Sequence, residues 1–362
     1  MTPSRFGVDA TCLRCDRLTG IERHAVGLVR ALVLLAPGEI VLFTRPDLPP
    51  ALAEIDVERH EAPGEALGRV PMDQAWLPWA ASRAHVQLLH TLASPTPLLW
   101  RGASAMTIHD ATPWLHPDAT DAFARWYAKP LYPQAMSRAG VIFTVSEAAR
   151  EDLVRAAGAP RDRIVVTPNG VDPLFFEARA REGPRAPYLL AVGSLEPRKN
   201  LPVLLEALRV LRRDGRDLAL WVAGRQAWSH SLPLGDLEPH VKLLGIVDDA
   251  ELASLYAGAA CFVMPSLHEG FGLPLAEAMA AGAPAVASDI PALREVGGET
   301  VRYADPLDAE SFARAIREAL DDREHSQLRA AAARGRARRF RWEDTARTTL
   351  AAYRRLLRAR RR

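Results

Sequence analysis

Cysteine is scarce in this 362-residue sequence, which has only Cys12, Cys15 and Cys261. Cys12 and Cys15 form one Cys-x-x-Cys pair, and no second pair is present to complete a zinc site. The pair also precedes no clear helix start, which a redox motif of this type requires. We therefore interpret both residues as ordinary thiols.

Strong charge bias and long apolar runs are missing as well. The net charge is +2, so bulk charge gives no indication of a nucleic-acid partner. No uninterrupted apolar run is long enough to span a bilayer, and residues 1–10 lack a signal-peptide pattern. The missing signal-peptide pattern predicts a cytoplasmic protein. With 48% hydrophobic and 25% charged residues, the composition is typical of a soluble globular enzyme.

The Gly-x-Gly-x-x-Gly motif of dinucleotide-binding folds is absent after the first predicted strand. Residues 19–23, Thr-Gly-Ile-Glu-Arg, occupy the corresponding turn. This absence argues against a nicotinamide-dependent dehydrogenase.

What the sequence does contain is an alternation of strand and helix patterns on both sides of a proline-containing segment. The predicted strands are residues 6–10, 40–44, 105–108, 141–145, 164–166, 188–192, 218–223, 241–246, 261–265 and 284–287. This alternation predicts an α/β protein with two doubly wound parallel sheets. We place the first domain at residues 1–172, a linker at 173–187 and the second domain at 188–342, with a helix at 343–362 that rejoins the first domain. Two such domains that face each other would leave a ligand-binding cleft.

Two glutamates carry the most information about function. Glu269 and Glu277 are separated by seven residues, with a strand pattern before Glu269 and a helix around Glu277 that ends at Gly282. Ligands of open α/β sheets bind at the carboxyl ends of strands, and free N–H groups at a helix start favour an anion such as a diphosphate. Carboxylates beside a diphosphate can accept hydrogen bonds from the hydroxyls of a sugar and a ribose. The alternative interpretation is that both glutamates are solvated surface charges without a ligand. The glycines and the strand–turn–helix context disfavour this alternative.

On these residues, the sequence resembles the retaining, nucleotide-sugar-dependent glycosyltransferases of family 4, which have the GT-B fold of two Rossmann-like domains facing across a cleft. The resemblance covers nearly the whole chain. Its segments are residues 19–23, 107–110, 144–147, 168–172, 193–200, 269–277, 287–289 and 340–343. The Glu-x7-Glu element combined with Pro-Arg-Lys-Asn at 197–200 is its specific part.

The resemblance implies a role for each matching residue. Glu269 would hold the donor sugar's hydroxyls, Glu277 the ribose diol, and Arg198 with Lys199 the diphosphate. His109, in the first domain, would reach the transferred sugar across the cleft. Backbone contacts to the donor would come from two turns, formed by Gly193 and Ser194 and by Gly270, Phe271, Gly272 and Leu273.

Two positions depart from the family pattern. Ser194 stands where many members have an arginine, so the whole basic role rests on Arg198 and Lys199. Glu22 stands where a glycine is common, beside Gly20 in the first-domain turn, whose acceptor or phosphate contacts therefore stay open. No Asp-x-Asp cluster lies near the turns, and we interpret Asp248 as a helix cap. Since two cations can replace a metal at the diphosphate, the expectation is a metal-independent enzyme without a cofactor.

The expected function is transfer of a hexose from a nucleoside-diphosphate sugar to a hydroxyl of a glycan or lipid-linked acceptor. The phosphate turn resembles that of bacterial surface-polysaccharide mannosyltransferases, including those of lipopolysaccharide synthesis, so GDP-mannose is the favoured donor. A nucleotide-sugar epimerase of the same fold and a non-catalytic nucleotide-sugar or glycan-binding module are the alternatives.

Two surface features leave further alternatives open. The arginines at 360–362 either attract anionic lipid weakly, for a peripheral membrane contact, or are merely solvated. A group of tryptophans at 76, 79, 100, 114 and 126 could stack on an acceptor sugar, face a lipid surface or fill the core.

Overall fold

The computed structural model describes residues 4–13, 20–63, 68–117, 124–180, 187–225 and 232–361. They form two compact units. The first comprises residues 1–170 and 341–362, and the second comprises residues 171–340. Thr19, Cys15 and Arg362, which belong to segments singled out in the sequence, lie outside the described residues.

The first unit is built on a parallel sheet of seven strands in the order β3-β2-β1-β4-β5-β6-β7. Its strands are β1 Phe6–Asp9, β2 Ile40–Thr44, β3 Glu58–Glu61, β4 Leu88–Thr91, β5 Ala103–Thr107, β6 Val141–Thr144 and β7 Ile164–Val166. The connecting helices and helical turns are Gly20–Leu35, Pro50–Ala53, Arg69–Pro71, Met72–Trp76, Leu77–Arg83, Thr112–Leu115, Ala124–Ala128, Lys129–Arg138, Glu147–Ala157 and Arg161–Arg163. The strand order reverses between β1 and β4, and ligands of such sheets bind at this switch point.

The helix Trp342–Arg361 completes the first unit although it comes last in the chain. It packs on the helix Gly20–Leu35, where a Cβ at Gly27 would lie 2.2 Å from the Trp342 ring, so only glycine allows this approach. Tyr353 is fully buried, with its ring 5.1 Å from that of Phe6 and its hydroxyl bonded to His90 Nδ1. The apolar face of this helix is therefore part of the core of the first unit.

The second unit has a parallel sheet of six strands in the order β10-β9-β8-β11-β12-β13, with its switch point between β8 and β11. The strands are β8 Tyr188–Val192, β9 Ala219–Ala223, β10 Val241–Gly245, β11 Cys261–Met264, β12 Ala285–Ser288 and β13 Arg302–Ala304. The helices and helical turns are Pro173–Phe176, Pro197–Lys199, Leu201–Arg213, Gly235–His240, Asp249–Gly258, Leu273–Ala281, Pro291–Gly297, Gly298–Thr300, Ala309–Asp321 and Arg323–Ala337. Two parallel sheets with intervening helices confirm the predicted fold class.

Of the strands that the structure describes, the sequence analysis did not predict β3, β4 and β13. β3 has the polar sequence Glu-Arg-His-Glu and lies at the edge of its sheet, so it carries no apolar pattern. The range 173–187, predicted as a linker, begins with the helical turn Pro173–Phe176. Phe175 in this turn is buried, and its ring centroid lies 5.9 Å from that of Tyr256. This turn belongs to the core of the second unit.

The tryptophans singled out in the sequence divide between core and surface. Trp76 and Trp100 are buried, whereas Trp79 is 57% exposed and Trp126 is 80% exposed. Of the described helices, none combines the length and the apolar character that crossing a membrane requires. Burial raises the pKa of the Cys12 thiol, which disfavours a reactive thiolate at this position.

Candidate functional site

The candidate site of the second unit begins where β11 ends. β11 is fully buried, and the helix Leu273–Ala281 that follows has almost no exposed residue. Gly272 starts this helix with φ of +97°, which strongly favours glycine, and a Cβ there would also meet Leu293 at 2.4 Å. The predicted strand, turn and helix are confirmed, with Glu269 in the turn and Glu277 as the fifth residue of the helix.

A second turn, after β8, brings basic side chains to the same place. Gly193 has φ of +146°, and its N–H donates to Ala223 O at 2.9 Å. The helical turn Pro197–Lys199 follows and ends at Asn200, whose Nδ2 donates to Pro265 O at 3.1 Å and to Pro306 O at 2.7 Å. Asn200 therefore fastens this turn to the chain segment that leaves β11.

Glu269 lies between the two cations that the sequence singled out. Lys199 Nζ is 2.6 Å from Glu269 Oε1, and Arg198 Nη1 is 3.1 Å from Glu269 Oε2. Arg198 also pairs with Glu196 at 2.8 Å and donates to His268 O at 3.1 Å. Glu269 is only 8% exposed, so this cluster of charges lies in a largely dehydrated environment. The structure thus brings together three of the predicted site residues.

Burial and charge oppose each other in this cluster. Burial alone would raise the pKa of Glu269, but Lys199 and Arg198 outweigh it and lower that pKa to about 2. Burial lowers the pKa of Lys199, and the attraction to Glu269 outweighs the repulsion by Arg198 but does not offset this burial. The two pKa shifts are compatible, because two cations stabilise the charged form of Glu269, whereas Lys199 shares that one carboxylate with Arg198.

Glu277 lies in a different environment from Glu269. It is only 3% exposed, and its Oε2 accepts a hydrogen bond from the Tyr256 hydroxyl at 3.1 Å. Tyr256 belongs to the helix Asp249–Gly258 and is itself fully buried. The sequence analysis did not identify Tyr256, because a tyrosine 21 residues away carries no local signal of this contact.

The other residues predicted to contact the donor lie in the same two turns, after β8 and β11. Gly270, Phe271 and Leu273 are buried. The Phe271 ring packs edge-on against Phe340, with their centroids 5.4 Å apart. Ser194 is half-buried, and its carbonyl accepts from the N–H of Glu196 at 2.8 Å.

His109 belongs to the first unit, two residues after the end of β5. Its Nε2 donates to Leu92 O at 3.0 Å, which leaves Nδ1 as an acceptor in the neutral ring. Burial lowers the pKa of His109, and this keeps the ring neutral near pH 7.

Sequence reasoning missed the support of this ring. The fully buried His24 lies edge-on to His109, with centroids 4.6 Å apart. His24 Nδ1 donates to Asn169 Oδ1 at 2.7 Å, across 145 residues of chain. Burial and then His109 hold the pKa of His24 well below its usual range. Asn169 belongs to segment 168–172, which the sequence analysis included in the family resemblance. Sequence spacing gave no indication that His24 is its hydrogen-bond partner.

The first-domain turn is only partly described, since Thr19 is not included. Gly20 begins the helix Gly20–Leu35, and Glu22 contributes an acidic side chain to its first turn. An acidic residue there complements the positive end of the helix dipole. Asp248 caps the helix Asp249–Gly258 by accepting from the Glu251 N–H at 2.7 Å, which confirms its predicted capping role. Within the described ranges, no three metal-ligating side chains come together.

Comparison with known proteins agrees with this architecture. Residues 18–175 match the profile described as Glycosyltransferase Family 4, and residues 186–322 match that of Glycosyl transferases group 1. An O-antigen chain mannosyltransferase B from Escherichia coli is 32% identical over an alignment of 273 positions, and the match covers 68% of this chain and 69% of that protein. This chain belongs to glycosyltransferase family 4.

Two further relatives support the placement of this glycosyltransferase. The O-antigen chain mannosyltransferase RfbU of Salmonella typhimurium is 31% identical over an alignment of 249 positions, and the match covers 66% of this chain and 68% of that protein. A sucrose-phosphate synthase structure from Thermosynechococcus elongatus matches with a TM-score of 0.75 and 21% identity, covering 98% of this chain and 100% of that one. At this identity the structural match supports the fold alone.

Proposed function

We propose that this glycosyltransferase transfers mannose from GDP-mannose to a hydroxyl of a glycan or lipid-linked acceptor during synthesis of a bacterial surface polysaccharide. The names of its relatives, which are O-antigen chain mannosyltransferases, support the sugar and the pathway. The chemistry of the second unit supports a nucleoside-diphosphate sugar as donor.

One observation carries this proposal: Lys199, Arg198 and Glu269 meet at the switch point of the second sheet. Cleavage of a nucleoside-diphosphate sugar leaves negative charge on the departing phosphate. Arg198 offers a planar fork and Lys199 a compact charge, and both suit phosphate oxygens. Burial would raise the pKa of Glu269, but Lys199 and Arg198 outweigh burial and lower it to about 2. The carboxylate therefore stays ionised and can accept hydrogen bonds from sugar hydroxyls.

The proposed reaction retains the configuration at the anomeric carbon. The acceptor oxygen attacks that carbon on the face from which the diphosphate departs, and the bond between carbon and phosphate oxygen breaks. The acceptor proton passes to the departing phosphate oxygen. Arg198 and Lys199 stabilise the charge that develops there, which is usually the largest catalytic contribution. Glu277 holds the ribose diol, and the turns at Gly193–Ser194 and 270–273 supply backbone contacts to the donor.

Metal independence is part of the same proposal. Arg198 and Lys199 both lie beside Glu269 and would supply the cationic N–H donors that a diphosphate needs without a divalent ion. His109 in the first unit is proposed to contact a sugar hydroxyl through Nδ1, the nitrogen that its bond to Leu92 leaves as an acceptor.

The test is product analysis with GDP-, UDP-, dTDP- and ADP-sugars, each with and without a panel of glycoside acceptors. The proposal predicts a new α-linked mannoside from GDP-mannose, with the anomeric configuration of the product read by NMR. A product of changed sugar configuration formed without acceptor would instead identify an epimerase. Tight binding without turnover of any donor would identify a binding module. A β-linked mannoside would contradict retention.

A further inference from the structure

The hydroxyl of Tyr256 has no role in the reaction as proposed, although it contacts a carboxylate of the candidate site. It donates to Glu277 Oε2 at 3.1 Å, and both residues are buried. Tyr256 lies in the helix Asp249–Gly258 and Glu277 in the helix Leu273–Ala281, so the contact joins two neighbouring helices of the second unit. Because Tyr256 is fully buried, its hydroxyl approaches the proposed ribose contact from the protein interior.

Two other aromatic rings fix the ring of Tyr256. Phe262 of β11 lies edge-on to it with centroids 5.3 Å apart, and Phe175 lies edge-on with centroids 5.9 Å apart. All three side chains are at most 1% exposed. Closely packed interior side chains are held in single rotamers, so the phenol oxygen of Tyr256 has a nearly fixed position.

Glu277 requires a partner of this kind. It is the one charged residue of the helix Leu273–Ala281, in which every residue except Pro274 is buried. Removal of a carboxylate from water costs free energy unless hydrogen bonds stabilise it, and the Tyr256 hydroxyl is such a donor. Because a carboxylate group is planar, a donor that holds Oε2 also sets the direction in which Oε1 faces.

Packing alone does not account for this pair. Phenylalanine at position 256 would keep the ring contacts with Phe262 and Phe175, and an apolar residue at position 277 would match the rest of its helix. Replacement of both partners of a buried hydrogen bond by apolar groups of the same shape is often nearly neutral for stability. Natural proteins depart from such local patterns mainly at functional sites.

We propose that Tyr256 is a positioning residue that orients Glu277 towards the 2′- and 3′-hydroxyls of the donor's ribose. It thereby strengthens the preference for ribonucleotides over nucleotides that lack this diol. The inference deepens the proposed function and rests on it, because Glu277 is proposed to hold the ribose diol. Tyr256 acts through Glu277, so its removal has consequences that differ from those of a general loss of stability.

The test compares the binding of GDP and of 2′,3′-dideoxy-GDP, which lacks both ribose hydroxyls, by calorimetry with the full chain. Tyr256→Phe keeps the ring and removes the hydroxyl. We expect it to weaken GDP binding by about fivefold and to leave dideoxy-GDP binding within about twofold of the wild type. The loss is smaller than that for Glu277→Ala because the carboxylate itself remains. In Tyr256→Phe/Glu277→Ala, GDP should bind as it does to Glu277→Ala, since the hydroxyl has lost the group through which it acts.

Tyr188→Phe is the matched control. The Tyr188 hydroxyl donates at 2.8 Å to the carbonyl of Leu255, in the same helix as Tyr256, and Tyr188 is also buried. The control removes one buried tyrosine hydrogen bond of this helix and leaves the contact between Tyr256 and Glu277 in place. Its preference for GDP over dideoxy-GDP should therefore equal that of the wild type, whereas its Tm should fall.

Four results would overturn the inference. Equal weakening of GDP and dideoxy-GDP binding by Tyr256→Phe would show that Tyr256 serves only the fold. Unchanged GDP binding would show that Glu277 is oriented without it. A double variant that binds GDP more weakly than Glu277→Ala would show that Tyr256 acts independently of Glu277. The same loss of preference in Tyr188→Phe would show that any disturbance of this helix has the effect.

Failure of the proposed function gives a different result, which appears in the wild type. A wild-type protein that binds no nucleoside diphosphate contradicts the proposed function itself, and one that binds GDP and dideoxy-GDP equally contradicts the placement of Glu277. If the wild type binds UDP or ADP in place of GDP, only the proposed donor is wrong. The same comparison with that nucleotide and its dideoxy form then tests Tyr256.

Discussion

Lys199→Met separates the electrostatic role of Lys199 from its packing. Methionine keeps most of the length of the side chain, which lines the turn at Gly193, where a Cβ would lie 3.0 Å from Lys199 Cε. The change removes the ammonium group that lies 2.6 Å from Glu269 Oε1. It leaves Arg198 in place at 3.1 Å from the other carboxylate oxygen.

The magnitudes follow from this geometry. Loss of one donor directed at developing charge lowers kcat by about 10²- to 10³-fold. Breaking a buried ion pair costs roughly 3–5 kcal/mol of stability, but here Arg198 still pairs with Glu269. We therefore expect a loss in the free energy of unfolding of roughly 2 kcal/mol, about half of that range.

A double-mutant cycle separates the two effects. In Lys199→Met/Glu269→Gln neither partner is left as an uncompensated charge, because Arg198 retains Glu196 at 2.8 Å. The stability losses of the single variants should therefore not add, and the double variant should be more stable than their sum predicts. Its turnover should stay as low as that of the worse single variant. Urea unfolding measures the first quantity and steady-state turnover of GDP-mannose the second, with exposed Lys242→Met as control.

Two results would refute this reasoning. A folded Lys199→Met enzyme with nearly wild-type kcat would show that the ammonium group does not act on the departing phosphate. Recovery of turnover in the double variant would show that the loss in the single variant came from the unpaired Glu269 and not from the missing cation.

Three further predictions concern the same cluster. Turnover should survive excess EDTA, and a complete loss restored by Mg²⁺ or Mn²⁺ would contradict metal independence. Glu277→Ala should weaken GDP binding in calorimetry by roughly 1.5–3 kcal/mol, because Glu277 is expected to hold the ribose. Glu269→Ala should mainly lower turnover and leave GDP binding nearly unchanged, because GDP lacks the sugar that Glu269 is expected to hold. Equal binding of GDP by the two variants would refute the placement of the carboxylates. Burial acts to raise the pKa of Glu269, but Lys199 and Arg198 outweigh burial and lower this pKa from 4.5 to about 2. The stability that this ionised group contributes is thus complete above about pH 5 and is lost as the pH falls towards about 2. The destabilisation by Glu269→Gln in urea unfolding should accordingly be smaller at about pH 3 than at about pH 6, and a constant difference would show that Glu269 gains nothing from its cations.

The fold was largely predictable because most of its strands are apolar runs at the centre of a sheet, where both faces are covered. β4 was missed because it is short and ends in His90 and Thr91. His90 is tolerated there because its ring nitrogens are bonded to Tyr353 and Thr107, one far along the chain and the other on the neighbouring strand β5. Such compensation is a property of the packed structure and leaves no trace in the local pattern.

The candidate donor site was predictable for a different reason. Its residues lie in two short turns, each recognisable from glycine, proline and charged residues at fixed spacing. The polar groups that support or extend the site come instead from pairs distant in sequence. His24 reaches Asn169 across 145 residues, and Tyr256 reaches Glu277 from another helix. Their partners depend on strand order and helix packing, which composition and periodicity do not determine.

The return of the helix Trp342–Arg361 to the first unit has a consequence for the order of folding. The second unit is one continuous stretch, so all of its core residues have been synthesised once residue 340 has been added. The first 170 residues, although made earlier, lack the surface that covers Phe6 and the hydroxyl that pairs with His90 until Tyr353 follows. The half of the protein that the ribosome makes first is therefore the half that finishes folding last, and the second unit is in effect an insertion within it.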